Sequence, residues 1–352
     1  MKTVPVEAGG GRHDVLIGAI GDNADRLAGE TVPVITDEHV WALHGPALPW
    51  PTNPIFVPQG EAAKDWRCLQ PLIDALAARN ISRDTPIIAF GGGSVGDVGG
   101  LAAAVFKRGC PLIHIPTTLV AQVDSAIGGK VAIDVAGLKN LVGTFYLPKL
   151  VLCDPAFLLT LDRRQLRAGY AELVKYGLVS DPAMFGWCEA HAGDLLDGDL
   201  DLLTEGVARA VEAKTRFIAE DFHDRLDRRA LLNFGHTFGH AIESLSGLGP
   251  VLHGEAVALG MALAFQLSVE IGLCPDGDAK RAINHLRSVG LPTMLTDVGI
   301  SGRGSDLAPL MAKDKKADAA GLKLILTRGI GQAFVSRDIT AKQLGDFLSR
   351  AS

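Results

Sequence analysis

Three histidines, His236, His240 and His253, fall within 18 residues of a 352-residue chain that has only ten. His236 and His240 are four apart, so a helix would project both from one face. That spacing suits a divalent metal held by imidazole, with an acid such as Glu172, Glu243 or Glu255 as third ligand. Glycines stand beside them in Asn233-Phe-Gly-His236-Thr-Phe-Gly-His240 and in Leu252-His253-Gly-Glu255. They leave room for a ligand or for a close approach of two backbones. A lone histidine here would read as a satisfied polar group in a helical core; three with flanking glycines point to function. Mixed His and carboxylate ligation with an open position would make the site catalytic.

A second chemistry sits upstream. Gly91-Gly-Gly93-Ser94-Val95-Gly96-Asp97 satisfies GxGxxG after an apolar run and before a helical pattern. Such a turn lets backbone amides approach a pyrophosphate at a helix N-terminus. It falls on a later strand than the usual first βα unit, and the acidic strand end, Asp37, comes earlier instead of about 20 residues later. The plainer reading is a tight turn packing a helix on a sheet; the context favours a nucleotide or phosphate. Pro116-Thr117-Thr118 adds hydroxyls. Gln122-Val-Asp124-Ser-Ala-Ile-Gly128-Gly129-Lys130 and Gly137-Leu-Lys139-Asn140 place lysines in glycine-rich loops suited to gripping an anion. Glu172 and Lys175 are three apart in a helical pattern, and by themselves read as a surface ion pair. Together the groups suggest redox chemistry on a phosphorylated polyol, in which a metal polarises an alcohol or ketone and a nicotinamide takes hydride.

The elements that must position these residues change character along the chain. In the first half, β-rich runs at 15–18, 32–37, 54–57, 86–90, 112–115 and 150–153 alternate with helical patterns at 62–78 and 95–106. That alternation argues for a parallel sheet covered on both faces. From about 162 the period is helical, over 164–175, 182–190, 196–221, 229–245, 254–270 and 279–289, with one short strand at 322–327. Two domains are expected, 1–162 and 163–352, with a ligand in the cleft between them.

Composition supports a packed globular enzyme. The chain is 47% apolar and 21% charged with net charge −6, which excludes a largely disordered chain and gives no basic stripe for nucleic acid. The five cysteines have no CxxC spacing and read as reduced thiols. No apolar run is long enough for a membrane span, and the N-terminus lacks a signal-peptide core. A cytoplasmic location is expected.

The motifs then resemble a known family. Gly91–Asp97, Pro116-Thr-Thr, Gln122-Val-Asp-Ser, Gly129-Lys130, Lys139-Asn140, Ala171-Glu-Leu-Val-Lys-Tyr-Gly177, Leu232-Asn-Phe-Gly-His-Thr-Phe-Gly-His-Ala-Ile-Glu243, Leu252-His-Gly-Glu255 and Asp314-Lys-Lys316 resemble 3-dehydroquinate synthase, in that family's order over nearly the whole chain. The resemblance implies an α/β N-terminal Rossmann-like domain and a mainly helical C-terminal domain, with NAD and zinc or cobalt as cofactors. It implies metal ligands Glu172, His236 and His253, which replaces the spacing-based pair and turns His240 toward substrate. It implies a substrate site of Asp124, Lys130, Asn140, Lys175, Lys214, Arg229, Asn233, His240, Lys315 and Lys316. Arg108 would reach the phosphate site of a second subunit, so a homodimer is implied. The NAD positions would be Asp37, Gly60, Glu61, Lys64, Gly93, Ser94, Val95, Gly96, Asp97, Thr117, Thr118, Lys130, Lys139, Phe157 and Thr160.

The implied reaction turns 3-deoxy-D-arabino-heptulosonate 7-phosphate, a phosphorylated sugar acid, into 3-dehydroquinate and phosphate in the shikimate pathway. It runs by transient oxidation, phosphate elimination, re-reduction, ring opening and intramolecular aldol closure. Two stretches depart from the family pattern. The segment 220–229 is one residue longer and lacks an Asp-Glu-Arg-Glu run, which makes Arg228 a rival to Arg229. Asp134 brings a negative charge close to the lysines. The alternatives are another sugar-phosphate cyclase, a metal-dependent polyol dehydrogenase, and a silent binding protein. Lys214, Arg229 and Asn233 favour a carboxylate substrate, and the presence of every ligand candidate speaks against silence.

Overall fold

The computed structural model describes residues 1–27, 31–247, 249–314 and 322–351; Lys315 and Lys316 lie outside the described residues. In chain order the first elements are β1 (Lys2–Ala8), β2 (Gly11–Ile17), β3 (Val32–Thr36), α1 (Glu38–His44), β4 (Thr52–Phe56) and α2 (Trp66–Ala78). Then come β5 (Ile87–Gly91), α3 (Gly93–Val105), β6 (Leu112–Pro116), β7 (Lys130–Val135), β8 (Leu138–Phe145) and β9 (Leu150–Cys153). The helices α4 (Arg163–Ser180), α5 (Pro182–Leu196), α6 (Leu200–Glu220), α7 (His236–Ser246), α8 (His253–Glu270), α9 (Asp276–Ser288) and α10 (Leu307–Asp314) follow. The chain closes with β10 (Leu324–Thr327), β11 (Ala333–Ser336) and α11 (Ala341–Arg350). It divides into two compact units, Met1–Asp162 with Gly198–His223, and Arg163–Asp197 with Asp224–Ser352.

The first unit is built on a seven-stranded sheet in the order β1-β2-β9-β6-β5-β3-β4. All neighbours are parallel except the β1–β2 edge pair. Its central strands are apolar throughout because both faces are covered. Val34, Ile88, Phe90, Ile113 and Ile115 enter one core with Trp50 and Phe157. Their neighbours Ile35, Ala89 and Leu112 enter the opposite core with Leu72, Leu76 and Leu101, as a period of two requires. From β3 the chain steps outward to β4, then returns to β5 on the other side of β3. Such a reversal opens a crevice beyond the carboxyl ends of the two strands, where ligands bind in this kind of sheet. Asp37 and the glycines after β5 stand at those two ends, which explains why the glycine turn follows a later strand.

The hairpin β7–β8 turns through Ala136 and Gly137, both with positive φ (54° and 74°), the signature of a two-residue hairpin turn. The ladder is irregular between Ile133 and Val135. Opposite it, Asn140 takes a left-handed φ of 54° and its backbone N–H donates to Asp134 Oδ1 at 2.7 Å. Asp134 therefore has structural work at this irregularity.

Two expectations are redrawn. The segment 163–352 does not pack as one body, because α6 belongs to the first unit. Its buried stripe of Leu203, Val207, Val211, Phe217 and Ile218 covers β1, which buries Val4, Val6 and Ala8, and Lys2 pairs with Glu212 at 2.7 Å. A helical period says which face is buried but not which neighbour buries it. The helix expected over 229–245 breaks into a 3-10 turn, Arg229–Asn233, and α7. The break is Gly235, at φ 83°, a conformation that favours glycine. His236 thus begins a helix.

In the second unit α8 is buried on nearly every side, through Ala256, Val257, Leu259, Met261, Leu263 and Phe265 among others, as a helix apolar all round must be. α4 is buried without interruption from Ala168 to Val179. The pair β10–β11 is antiparallel. Among the described residues no helix is long and apolar enough to cross a membrane.

Candidate metal and nucleotide sites

In the second unit glycines let α8 meet both α4 and the start of α7 at backbone contact. A Cβ on Gly254 would overlap the Ala168 carbonyl of α4, and one on Gly260 would overlap the Gly235 carbonyl at the start of α7. The glycines beside the histidines therefore serve close backbone approach. The consequence is chemical. Ala168 lies one turn before Glu172 on α4, Gly235 directly precedes His236, and Gly254 directly follows His253. Backbone contact thus sets the separation of three side chains. Glu172 Oε1 is 3.6 Å from His236 Nε2 and 3.5 Å from His253 Nε2, and donor atoms of all three lie within 4.8 Å of one another. One carboxylate and two imidazoles, fixed by three helices, fit zinc or cobalt and leave coordination positions open.

The surroundings sort the other candidates. Lys175, expected as half of a surface pair, is 1% exposed and forms an ion pair with fully buried Glu172. Burial of this whole helix face overturns the surface reading. Glu255 accepts from Arg164 Nε and Nη2 at 2.6 and 2.7 Å and from Leu252 N–H at 2.9 Å, so it fastens the start of α8. Glu243 lies 3.5 Å from His253 Nδ1. His240 is partly buried, its ring 5.7 Å from that of His236 and 6.1 Å from that of His253. It groups with Glu243 and His253 and not with Glu172.

Electrostatics separates the two imidazoles that face Glu172. Burial, then the Lys175 ammonium, holds His236 well below its usual pKa despite Glu172. Its Nδ1 faces the Phe234 carbonyl at 3.3 Å, so a neutral ring donating there keeps the Nε2 lone pair toward Glu172. Burial also opposes charge on His253, but hydrogen bonds and charge from Glu172 and Glu243 outweigh it and raise that imidazole to about 9.

The two arginines of the altered segment differ in burial. Arg229 is 4% exposed, whereas Arg228 is exposed. Asn233, partly buried, ends the same 3-10 turn. Asp227 anchors the segment by pairing with Lys323 and, at 2.6 Å, with Arg337. Those two hydrogen bonds hold its carboxyl below the usual range.

In the first unit α3 begins at Gly93 with Gly92 as N-cap and no side chain capping it, which leaves first-turn amides for a ligand. A Cβ on Gly93 would stand 3.0 Å from Ser125 Oγ, and one on Gly92 3.2 Å from Thr118 Cγ2. The turn is a cradle that side chains would fill, as dinucleotide binding requires. Ser94 and Gly96 are partly accessible and Val95 is buried. Thr117 N–H donates to the Gly91 carbonyl at 2.9 Å, and Thr118 Oγ1 accepts from Ala121 N–H at 3.3 Å. A small pocket here is lined by Gly91, Gly93, His114, Ser125 and Lys130 among others. Ser125 had a signal in the Gln122-Val-Asp-Ser motif; buried His114, inside a strand, had none.

Lys64 gathers several candidates. It is 5% exposed and lies 2.7 Å from Asp97, 4.0 Å from Glu61 and 3.9 Å from Asp134, and it donates to Asn140 Oδ1 at 2.5 Å. Burial opposes its charge, but Asp97 and Glu61 outweigh that and raise its pKa. Asp97 is pushed up to about 6 because burial outweighs the help it receives from Lys64. Gly60 (φ 68°) opens the 3-10 turn that brings Glu61 and Lys64 there. Lys214 on α6 is 6% exposed and donates to the Asp124 carbonyl at 2.6 Å as well as to its carboxylate; Asp124 lies in a π-helical turn, Ala121–Ser125. Lys130 is exposed with its ammonium 5.9 Å from the Phe145 ring, and Lys139 is partly buried on β8.

Three expected nucleotide positions have structural duties. Asp37 Oδ1 accepts from Val40 N–H at 2.9 Å and caps α1. Phe157 is buried in a core, 4.7 Å from the His44 ring and 5.7 Å from Phe90. Thr160 Oγ1 is 2.9 Å from His44 Nε2. Arg108 is exposed in a left-handed turn, φ 63°, after α3.

Comparison with known proteins shows the family of the chain. A model described as 3-dehydroquinate synthase N-terminal matches residues 54–168, and one described as 3-dehydroquinate synthase C-terminal matches residues 169–317. The 3-dehydroquinate synthase of Caulobacter vibrioides is 46% identical over 99% of this chain and 98% of its own length, and that of Zymomonas mobilis is 42% identical over 98% and 95%. Among solved structures, 2-epi-5-epi-valiolone synthase from Streptomyces hygroscopicus, with NAD+ and Zn2+ bound, superposes at TM-score 0.88 with 30% identity over 96% of both chains. A 2-deoxy-scyllo-inosose synthase complexed with carbaglucose-6-phosphate, NAD+ and Co2+ gives 0.86 with 25% identity over 100% of both. With relatives this similar over their full length and both family models matched in order, the chain belongs to the 3-dehydroquinate synthase family.

Proposed function

We propose that this enzyme converts 3-deoxy-D-arabino-heptulosonate 7-phosphate into 3-dehydroquinate and phosphate, using NAD and a divalent metal, zinc or cobalt. The observation that carries the reading is the meeting of Glu172, His236 and His253 on three helices locked by glycine contacts. When bound, NAD supplies a reversible hydride acceptor and the metal a Lewis acid for a substrate oxygen.

The chain's own residues bind and orient. The α3 amides take the dinucleotide phosphates, while Lys64 and Asp97 fix the floor of that site. Lys64 engages Asn140 Oδ1, so the amide NH2 is the group that Asn140 offers an anion. Lys130 joins it on the substrate phosphate. Asp124, Lys175, Asn233 and His240 hold hydroxyls, with Lys175 also steadying Glu172. Lys214 and buried Arg229 take the carboxylate, the arginine through a two-pronged fork. A protein base is dispensable in the elimination when the departing phosphate lies within reach of the acidified C–H.

We read the protein as a cytoplasmic homodimer. Its five cysteines are free thiols, which suits a reducing compartment. Val105, three residues before Arg108, and Leu138 and Leu141 on β8 are exposed apolar residues, and a second copy would cover them. Light scattering at twice the chain mass is the expected result.

The decisive experiment supplies the heptulosonate phosphate, NAD and zinc, and measures phosphate and 3-dehydroquinate. Both should form with no net NADH. Phosphate released from sedoheptulose 7-phosphate alone would make the enzyme another sugar-phosphate cyclase, and steady NADH would make it a polyol dehydrogenase. His236→Ala should lose metal and turnover together; full turnover without metal would end the scheme.

A further inference from the structure

We propose that Glu243 is a positioning residue of the metal centre, which holds His253 by Nδ1 and thereby presents Nε2 to Glu172 and His236. The inference rests on the reading of Glu172, His236 and His253 as the ligands. The His253 ring stands between two carboxylates, with Nε2 3.5 Å from Glu172 Oε1 and Nδ1 3.5 Å from Glu243 Oε2. An imidazole that gives one nitrogen to a metal carries a proton on the other, and that N–H needs an acceptor to fix the tautomer and the ring plane.

His253 needs such a hold more than the other ligands do. Its side chain is 36% exposed, against 11% for His236 and none for Glu172, so packing alone leaves its ring the freest of the three. Glu243 is 5% exposed and lies seven residues after His236 on α7, which places both on one helix face. One helix thus supplies a ligand and the carboxylate that orients a ligand from another helix. The same atoms define a competitor, because His240, Glu243 and His253 also group as donors. In that arrangement the metal would sit on the Nδ1 side and Glu243 would be a ligand itself.

The test uses the full-length protein and reads metal binding directly, by competition with a chromophoric chelator for zinc and by the visible absorption of the cobalt form. Glu243→Ala should weaken zinc binding by about 10–100-fold and change the cobalt spectrum. Glu243→Gln, whose amide oxygen still accepts from Nδ1–H, should recover most of the affinity. Glu243→Met, of similar volume, should show the alanine result if the alanine variant does not fold. His240→Asn should bind zinc as tightly as the parent. Unchanged affinity and spectrum in both Glu243→Ala and Glu243→Met would overturn the proposal, as would a loss in His240→Asn equal to theirs. His236→Ala separates the two levels: if it retains parental affinity, the ligand assignment itself is wrong, whereas its loss beside unaffected Glu243 variants refutes the positioning role alone.

Discussion

His13 and His114, the two histidines of the first unit's sheet, are 3% and 4% exposed, and burial lowers each from 6.5 to about 4. Between those values the unfolded chain binds protons that the folded chain does not, so stability falls as pH drops from 6.5 toward 4. At about 1.4 kcal/mol per pH unit of lowering, each histidine withdraws on the order of 3 kcal/mol over that window. Thermal unfolding of the parent should therefore weaken more steeply from pH 7 to 4.5 than that of His13→Phe; parallel curves would refute the assignment. These two residues gave no signal in the sequence, because a histidine within an apolar strand carries no spacing to read. His236, His240 and His253 were legible because they are clustered and rare. Spacing left Glu172 as one of three candidate acids beside Glu243 and Glu255, since it comes from a different helix and reads locally as half of a surface pair; only the family resemblance of the Ala171–Gly177 motif singled it out. The burial of Lys175 is a tertiary fact that its i,i+3 partner could not reveal.

At the scale of elements, glycine contacts do the positioning. Gly254→Ala would force α8 away from α4 at Ala168, with an overpacking cost of about 1–3 kcal/mol, and would part His253 from Glu172. Zinc content per chain should fall while far-UV helicity remains; one tightly held zinc in this variant would show that the helix contact does not govern the site. Most strands and helices of the first half were legible from apolar runs and periodic stretches, but β1 and α1 were not; the break before α7 had a visible cause in Gly235. The hairpin β7–β8 was missed: β7 alternates and buries Val131 and Ile133, but β8 is exposed or half-buried throughout and shows no apolar alternation to mark it as the partner strand. The role of Asp134 depends on the left-handed backbone of Asn140, which no residue pattern announces. Asp227 likewise went unread, since its partners Lys323 and Arg337 come from far along the chain.

Across the whole molecule, the placement of α6 decides what can stand alone. A fragment ending at Asp162 would lack the helix that covers Val4, Val6 and Ala8, and should be insoluble or bind a hydrophobic dye, whereas the intact chain should not. A soluble, monomeric fragment with cooperative unfolding would contradict this. The chain passes from the first unit to the second at 162/163, back at 197/198, and over again at 223/224. During synthesis the edge strand β1 leaves the ribosome long before its cover exists, so the first unit completes only after two helices of the second have been made. The same threading bears on inheritance. A crossover between relatives at 162/163 would join one parent's β1 to the other parent's α6, and the hybrid would be tested first on that buried seam, before any chemistry. Viable chimaeras should therefore accept new loops and surface helices more readily than a clean exchange of halves.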